Sequence, residues 1–124
     1  YSDALSHYEK ARAIDDKFRS PDHPNRAVTL NNIAELYREN SDYPMALSYC
    51  EKTIAIDQNS LPHNDPALAT TYNNIGLTHD SLGRYSDALS FYQKALEIQQ
   101  RSLPPDHPEI ARTYNNMGET YRSM

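Results

Sequence analysis

The sequence predicts an all-α protein, a solenoid of six antiparallel helices. Three observations support this prediction. The first is a 42-residue period, seen in the equal spacing of Tyr1, Tyr43 and Tyr85 and of Pro24, Pro66 and Pro108. The second is the segment YSDALS, which occurs at residues 1–6 and again at residues 85–90. The third is the spacing of apolar residues by three and four, which is the helical period. Repeats of this length form stacked arrays of supersecondary units.

Each 42-residue unit is predicted to contain two helices, and the six are expected at residues 1–19, 24–40, 43–60, 66–82, 85–102 and 108–123. The helices beginning at 1, 43 and 85 each open with tyrosine and place alanine three residues later. The helices beginning at 24, 66 and 108 open with proline, whose missing N–H costs nothing in a first turn. An Asp or His directly before that proline can cap the free amides. Gly83 predicts a left-handed end for helix 66–82, and Asn40 a weaker one for helix 24–40.

Small residues at repeat-equivalent positions predict where helices approach closely. Two such sets are present, Ala34, Gly76 and Gly118, and Ala4, Ala46 and Ala88. The larger residues expected to fill the space beside them are Tyr8, Tyr92, Tyr72, Tyr114, Ile33, Ile75 and Met117. We expect the tyrosine rings to be buried with their hydroxyl groups near water. Cys50 and His79 replace tyrosine in two of these core positions.

The pattern Y-x-x-I-G-x-x-H at residues 72–79, followed by Y-x-x-A-x-x-x-Y-x-x-A at residues 85–95, resembles the tetratricopeptide repeat. The longer period and the D-H-P or N-D-P junction resemble its kinesin-light-chain and nephrocystin type. The resemblance covers the whole chain and implies a right-handed α–α superhelix. It implies a single array over residues 1–124, with repeat units 1–42, 43–84 and 85–124, which we expect to belong to a longer array.

The resemblance also implies a binding surface, because the first helix of each repeat hairpin lines the concave side of such arrays. The residues that would line it are Asn31, Asn32, Glu35, Arg38, Thr70, Asn73, Asn74, Leu77, Asp80, Arg112, Asn115, Asn116, Glu119 and Arg122. A ladder of asparagine pairs runs through this set. Since an amide side chain both donates and accepts, it can pair with an extended peptide whatever its sequence. Alternatively, one asparagine of each pair holds neighbouring helices together, and the two roles are compatible.

Charge restricts the ligand expected in this groove. Its cations are only Arg38, Arg112 and Arg122, with no lysine, and they are offset by the acidic residues Glu35, Glu39, Asp80 and Glu119. Kinesin light chains take acidic cargo peptides, and chaperone-type repeats clamp a carboxylate with Lys and Arg, which requires charge-assisted hydrogen bonds. Because this groove is balanced in charge, we expect a protein or peptide partner that is neutral or mixed in charge.

The two end helices suggest a second kind of partner. Residues expected to lie uncovered there are Tyr1, Leu5 and Tyr8 at one end and Tyr114, Met117 and Tyr121 at the other. Each end repeats a helix that packs against a neighbour elsewhere in the chain, so the two faces are complementary. The alternative to a peptide-binding module is therefore a structural or spacer array that self-associates head to tail through a heterologous contact.

Composition argues against several classes of function. The net charge of -5 disfavours nucleic-acid binding, and the mean hydropathy of -0.84 disfavours a membrane span. A single cysteine excludes an intrachain disulfide, and three glycines leave no phosphate-binding loop. The five histidines lie at capping, loop, core or isolated positions, so no catalytic or metal-binding residue is predicted. We expect a cytoplasmic protein that is not an enzyme and has no cofactor.

Overall fold

The computed structural model describes residues 2–18, 24–60 and 65–124 and contains six α-helices in these ranges. They are α1 (Ser2–Phe18), α2 (Pro24–Glu39), α3 (Tyr43–Ser60), α4 (Pro66–Ser81), α5 (Tyr85–Ser102) and α6 (Pro108–Ser123). Every boundary lies within one residue of its prediction, so the all-α prediction is confirmed. None of the helices in the described ranges is long and apolar enough to cross a membrane.

The chain divides into two compact units, Tyr1–Leu61 and Pro62–Met124. In the first unit, α2 packs against α1 and α3. In the second unit, α5 packs against α4 and α6, and α4 also touches α6. The border between the units falls inside the predicted repeat unit 43–84, so the compact units do not coincide with the sequence repeats.

Side chains just before the prolines cap the N-termini of α4 and α6, as predicted. Asp65 Oδ1 accepts a hydrogen bond from the backbone N–H of Ala67 at 2.9 Å. His107 Nδ1 accepts one from the backbone N–H of Glu109 at 3.1 Å. Each cap satisfies one of the amides that a first helical turn leaves without a partner. The corresponding position before α2, His23, lies outside the described residues.

The C-termini of α2 and α4 end in the same backbone motif, one repeat apart. At the end of α4, Gly83 has a φ of 77°, and the Arg84 N–H donates to the His79 carbonyl at 2.9 Å. At the end of α2, Ser41 has a φ of 64°, and the Asp42 N–H donates to the Tyr37 carbonyl at 2.8 Å. Both are Schellman motifs with the left-handed residue just past the helix. The prediction is confirmed for Gly83 but wrong for Asn40.

The repeat explains why the left-handed residue is Ser41 and not the predicted Asn40. Ser41 lies one full repeat before Gly83, so it occupies the left-handed position, and Asn40 comes just ahead of it. A serine in this conformation brings its Cβ close to backbone atoms, a strain that glycine avoids. The first unit therefore folds with a strained residue at a position where the second unit has glycine.

Replacing Ser41 with glycine is expected to stabilise the protein by about 0.5 to 1 kcal/mol, because it removes the strain of the left-handed backbone. Urea denaturation measures the free energy of unfolding. The neighbouring substitution Asn40→Gly is the control and is expected to give no gain, since Asn40 does not have a positive φ. Equal stabilities of Ser41→Gly and the parent protein would contradict the assignment.

The core of the first unit lies between α2 and α3. Ala34 and Ala46 are both buried at this contact, as predicted for close helix approach, and Ile33 has no exposed surface. Cys50 is also buried, in a position where the other repeats have tyrosine. Ala4 of α1, the third alanine of its predicted set, is only half-buried.

The core of the second unit is built around the contact between Gly76 of α4 and Tyr92 of α5. A Cβ atom added to Gly76 would lie 2.5 Å from Tyr92 Cε1 and 2.7 Å from its Cδ1. The ring therefore occupies the space that a side chain at residue 76 would need. Tyr92 has no exposed surface, and its hydroxyl oxygen is buried as well. The prediction that such a hydroxyl stays near water is wrong for Tyr92.

Candidate functional site

The predicted groove residues of the second unit lie on α4 and α6, two helices that touch each other. We call this set the asparagine face, and it consists of Thr70, Asn73, Asn74, Leu77, Asp80, Arg112, Asn115, Asn116, Glu119 and Arg122. Its α4 members are buried or half-buried, and its α6 members are exposed except for the half-buried Asn116. The face thus has a covered side on α4 and an open side on α6.

Asn73 belongs to a buried hydrogen-bond chain that connects all three helices of the unit. Its Nδ2 donates to Thr113 Oγ1 at 3.0 Å, and the Thr113 hydroxyl donates to Gln99 Oε1 at 2.6 Å. All three residues are almost fully buried. Because buried polar groups are costly without partners, this chain fixes the helices relative to one another. The Asn73 amide therefore has a structural role.

Asp80 also connects α4 to α6. Its Oδ1 accepts a hydrogen bond from the Thr120 hydroxyl at 3.2 Å, and Thr120 has no exposed surface. Asp80 and Asn73 were predicted to line the groove, whereas the buried polar residues Thr120, Thr113 and Gln99 that bond to them or to each other were not predicted. A signal was present, because threonine recurs at residues 29, 71 and 113, at the full repeat period.

The α6 members of the face are mostly open to solvent. Asn115 is exposed. The Nδ2 of Asn116 is buried and has no hydrogen-bond partner among the described residues. Arg112 and Arg122 form ion pairs within α6, with Glu109 at 3.6 Å and Glu119 at 3.2 Å. The open side therefore offers amide groups and paired charges, with no excess of cations.

The predicted groove residues of the first unit all lie on α2. Asn31, Asn32, Glu35 and Arg38 are half-buried. They include one acidic and one basic side chain, so this part of the predicted surface is also balanced in charge.

An aromatic pair with a lysine above it recurs in both units and was not predicted. In the first unit, the rings of Tyr37 and Tyr49 stack with centroids 5.6 Å apart, and Lys52 Nζ lies 4.6 Å from the Tyr49 centroid. The Tyr49 hydroxyl donates to Glu9 Oε1 at 3.2 Å. Burial, together with the negative charge of Glu9, raises the pKa of Tyr49 above its ordinary value. The raised pKa therefore extends to higher pH the range in which the protonated hydroxyl can donate this bond.

The second unit has the equivalent arrangement. His79 and Phe91 stack with centroids 5.3 Å apart and an interplanar angle of 7°. Tyr72 stacks on the same Phe91 ring at 6.2 Å, and Lys94 Nζ lies 5.0 Å from its centroid. Phe91 and Lys94 follow Tyr49 and Lys52 by one full repeat, which is the sequence signal for this cluster.

Four of the residues predicted for end-to-end stacking, Tyr8, Tyr114, Met117 and Tyr121, are more exposed than their equivalents in α4 and α5, whereas Leu5 is half-buried like Leu89. Tyr114 is 52% exposed and Tyr121 is 61% exposed on α6, and Met117 is half-buried there. Leu5 and Tyr8 of α1 are half-buried. Tyr1 lies outside the described residues.

The tetratricopeptide repeat family matches the chain in three overlapping segments, residues 1–59, 27–101 and 68–124. No curated protein matches it. Among solved structures, a kinesin-light-chain-type protein of nearly identical TPR-like repeats from Podosopora anserina superposes with a TM-score of 0.78 at 20% identity, covering 98% of this chain and 58% of that one. BtubC (BKLC) from P. vanneervenii gives a TM-score of 0.89 at 22% identity, covering 97% of this chain and 48% of that one.

The N-terminal domain of stress-induced protein-1 (STI-1) from C. elegans is more distant, with a TM-score of 0.63 at 18% identity over 91% of this chain and 77% of that one. These similarities show the fold, which is the repeat solenoid predicted from the sequence. The chain spans 58% of the Podosopora anserina protein and about half of BtubC.

Proposed function

The chain belongs to the tetratricopeptide repeat family, a non-catalytic scaffold fold whose repeats are generally protein-interaction modules, and from this premise we propose that it binds an extended peptide segment. The proposed site of the second unit is the asparagine face, and the equivalent residues of α2 form a proposed site of the first unit. A cytoplasmic protein without enzymatic activity is part of the same proposal.

The observation that supports the proposal is that the side-chain amides of two asparagines of α6 can still form hydrogen bonds with a ligand. Asn116 has a buried Nδ2 with no partner among the described residues, and Asn115 beside it is exposed. A buried N–H without an acceptor is unfavourable, so turning the half-buried Asn116 side chain outward to meet a ligand carbonyl would recover that cost. Extended peptides supply backbone carbonyls at regular spacing, whatever their side chains.

The charges of the face favour a neutral or mixed-charge segment. Arg112 and Arg122 already pair with glutamates of α6, and Asp80 accepts a hydrogen bond from Thr120. A strongly acidic ligand would have to displace Glu109 or Glu119 from its arginine. Recognition through backbone amides requires no such exchange.

The proposal can be tested by selecting peptides from an unbiased display library on the 124-residue chain and measuring the affinity of the best by fluorescence polarisation. Replacing Asn116 by alanine is expected to weaken binding about threefold to tenfold, the value of one hydrogen bond, without lowering the free energy of unfolding. Asn59→Ala is the matched control, because Asn59 is an exposed asparagine of α3 outside the face. Equal affinities of the Asn116→Ala and Asn59→Ala variants would contradict the proposed site.

A second candidate function is a structural array that self-associates head to tail, and the exposed rings of Tyr114 and Tyr121 favour it. Exposed patches of large apolar or aromatic side chains are typical of protein contact surfaces. The two functions differ in their response to substitution. A peptide-binding module loses its ligand when the asparagine face is changed, whereas a self-associating array is affected by changes in α1 or at the tyrosines of α6.

A further inference from the structure

The packing of α5 on α4 supplies a template for a contact that the chain can make with a second copy of itself. In this packing, the Tyr92 ring fills the space over Gly76. The adjacent Phe91 ring stacks on His79 at 5.3 Å and on Tyr72 at 6.2 Å. Lys94 Nζ lies 5.7 Å from the Tyr72 centroid, above the same cluster.

The α5 side of this contact occurs again in α1. Residues 1–11 are identical to residues 85–95 at nine of eleven positions, with His7 in place of Phe91 and Glu9 in place of Gln93. Ala88 and Tyr92 have no exposed surface on α5, whereas the equivalent Ala4 and Tyr8 are only half-buried on α1. The face of α1 that corresponds to the α4-contacting face of α5 is therefore less covered than that face.

The α4 side of the contact occurs again in α6. Residues 108–121 are identical to residues 66–79 at eight of fourteen positions, including the glycine at Gly118. A Cβ atom added to Gly118 would meet nothing within 4 Å, whereas at Gly76 it would collide with a tyrosine ring. Tyr114 and Tyr121, the equivalents of Tyr72 and His79, are 52% and 61% exposed.

We propose that α6 of one molecule binds α1 of a second copy in the register of α4 and α5. Tyr8 of the second copy then sits over Gly118. His7 stacks between Tyr121 and Tyr114, and Lys10 lies above the Tyr114 ring. The proposal rests on the second candidate function and deepens it by fixing the partner helix and the pairing of residues.

The contact is heterologous, because it joins two different faces. A pair of molecules keeps one open face of each kind, so association continues with concentration into open chains rather than stopping at a closed dimer. The aromatic cluster gives the contact its register, since sliding one helix along the other by a single position would separate all the stacked rings.

Gly118→Ala is the first test, measured by sedimentation equilibrium from about 10 μM to 1 mM. The parent protein is expected to rise in average mass above 14.2 kDa as concentration increases. Gly118→Ala is expected to remain monomeric, because its Cβ would occupy the place of the Tyr8 ring while touching nothing in the free molecule. Its thermal midpoint should not fall below that of the parent, which separates blocked association from misfolding.

Mixing two blocked variants tests the direction of the contact. His7→Asp places a carboxylate between the two tyrosine rings and blocks α1, while its α6 stays intact. Gly118→Ala blocks α6 and leaves α1 intact. Each variant alone is expected to be monomeric, and an equimolar mixture is expected to give a 1:1 complex of twice the 14.2 kDa mass.

A third substitution should strengthen the contact. His7→Phe recreates the Phe91 ring of the template and is expected to tighten association about threefold to tenfold, the value of one aromatic pair. A parent protein that stays monomeric at 1 mM would overturn both self-association and this register. A parent that associates while Gly118→Ala associates equally well would overturn the register alone and leave self-association standing.

Discussion

Replacing Gly76 by alanine is expected to destabilise the protein by about 2 kcal/mol, although the same change usually stabilises a helix. The added Cβ would lie 2.5 Å from Tyr92 Cε1, well inside van der Waals contact. Tyr92 cannot move aside freely, because its ring is fully buried between α4 and its neighbours. Inserting a methyl group into such a core costs about 1 to 3 kcal/mol after the surroundings adjust.

Gly118→Ala is the matched control, since Gly118 occupies the equivalent position of α6 with open space around it. There the helix propensity of alanine acts alone and should raise stability by about 0.5 to 1 kcal/mol. Urea unfolding at a protein concentration of a few micromolar measures both changes. If both variants changed the free energy of unfolding in the same direction, the Tyr92 ring would not be what requires glycine at residue 76.

Thr113→Val is expected to lower the free energy of unfolding by about 2 to 4 kcal/mol, even though the two side chains have nearly the same shape. The substitution removes the hydroxyl that accepts from Asn73 and donates to Gln99. Both partners are buried, so each would keep a polar atom without its present partner, at a cost of about 1 to 3 kcal/mol per group.

Thr70→Val provides the comparison, because the Thr70 hydroxyl donates only a long, exposed hydrogen bond of 3.4 Å to the Pro66 carbonyl. This change is expected to alter stability by no more than about 0.5 kcal/mol. The two variants should be compared by the same urea titration. If Thr113→Val were as mild as Thr70→Val, the hydrogen-bond chain would not be what joins α4, α5 and α6.

The sequence was sufficient to predict the helices and their caps because those features depend on residues close together in the chain. Pro66 and Pro108 mark helix starts through their own geometry, and Asp65 and His107 cap amides two residues away. Gly83 ends α4 for a similarly local reason. The repeat then transfers each local feature from one unit to the next, although at Ser41 the residue type conceals it.

The groove was harder to predict, because whether an asparagine faces a ligand or a neighbouring helix depends on what that neighbour presents. Asn73 and Asn115 are repeat equivalents, yet one is bonded to Thr113 inside the unit and the other is exposed. The full burial of Tyr92 was hard to predict for the same reason, because it depends on the absence of a side chain at Gly76 of the neighbouring helix. Periodicity identifies positions, and tertiary contacts decide how each position is used.

The hydrogen bonds that join helices across a repeat have one spacing in common. Glu9 to Tyr49, Asn73 to Thr113, and Asp80 to Thr120 each connect residues 40 apart in the chain. Each such bond therefore closes a chain segment of constant length, which consists of one helical hairpin and the helix after it. The entropy lost in closing that segment does not grow with the number of repeats in an array. Because each of these three bonds lies within one compact unit, folding can start in either unit, and one unit can unfold while the other persists.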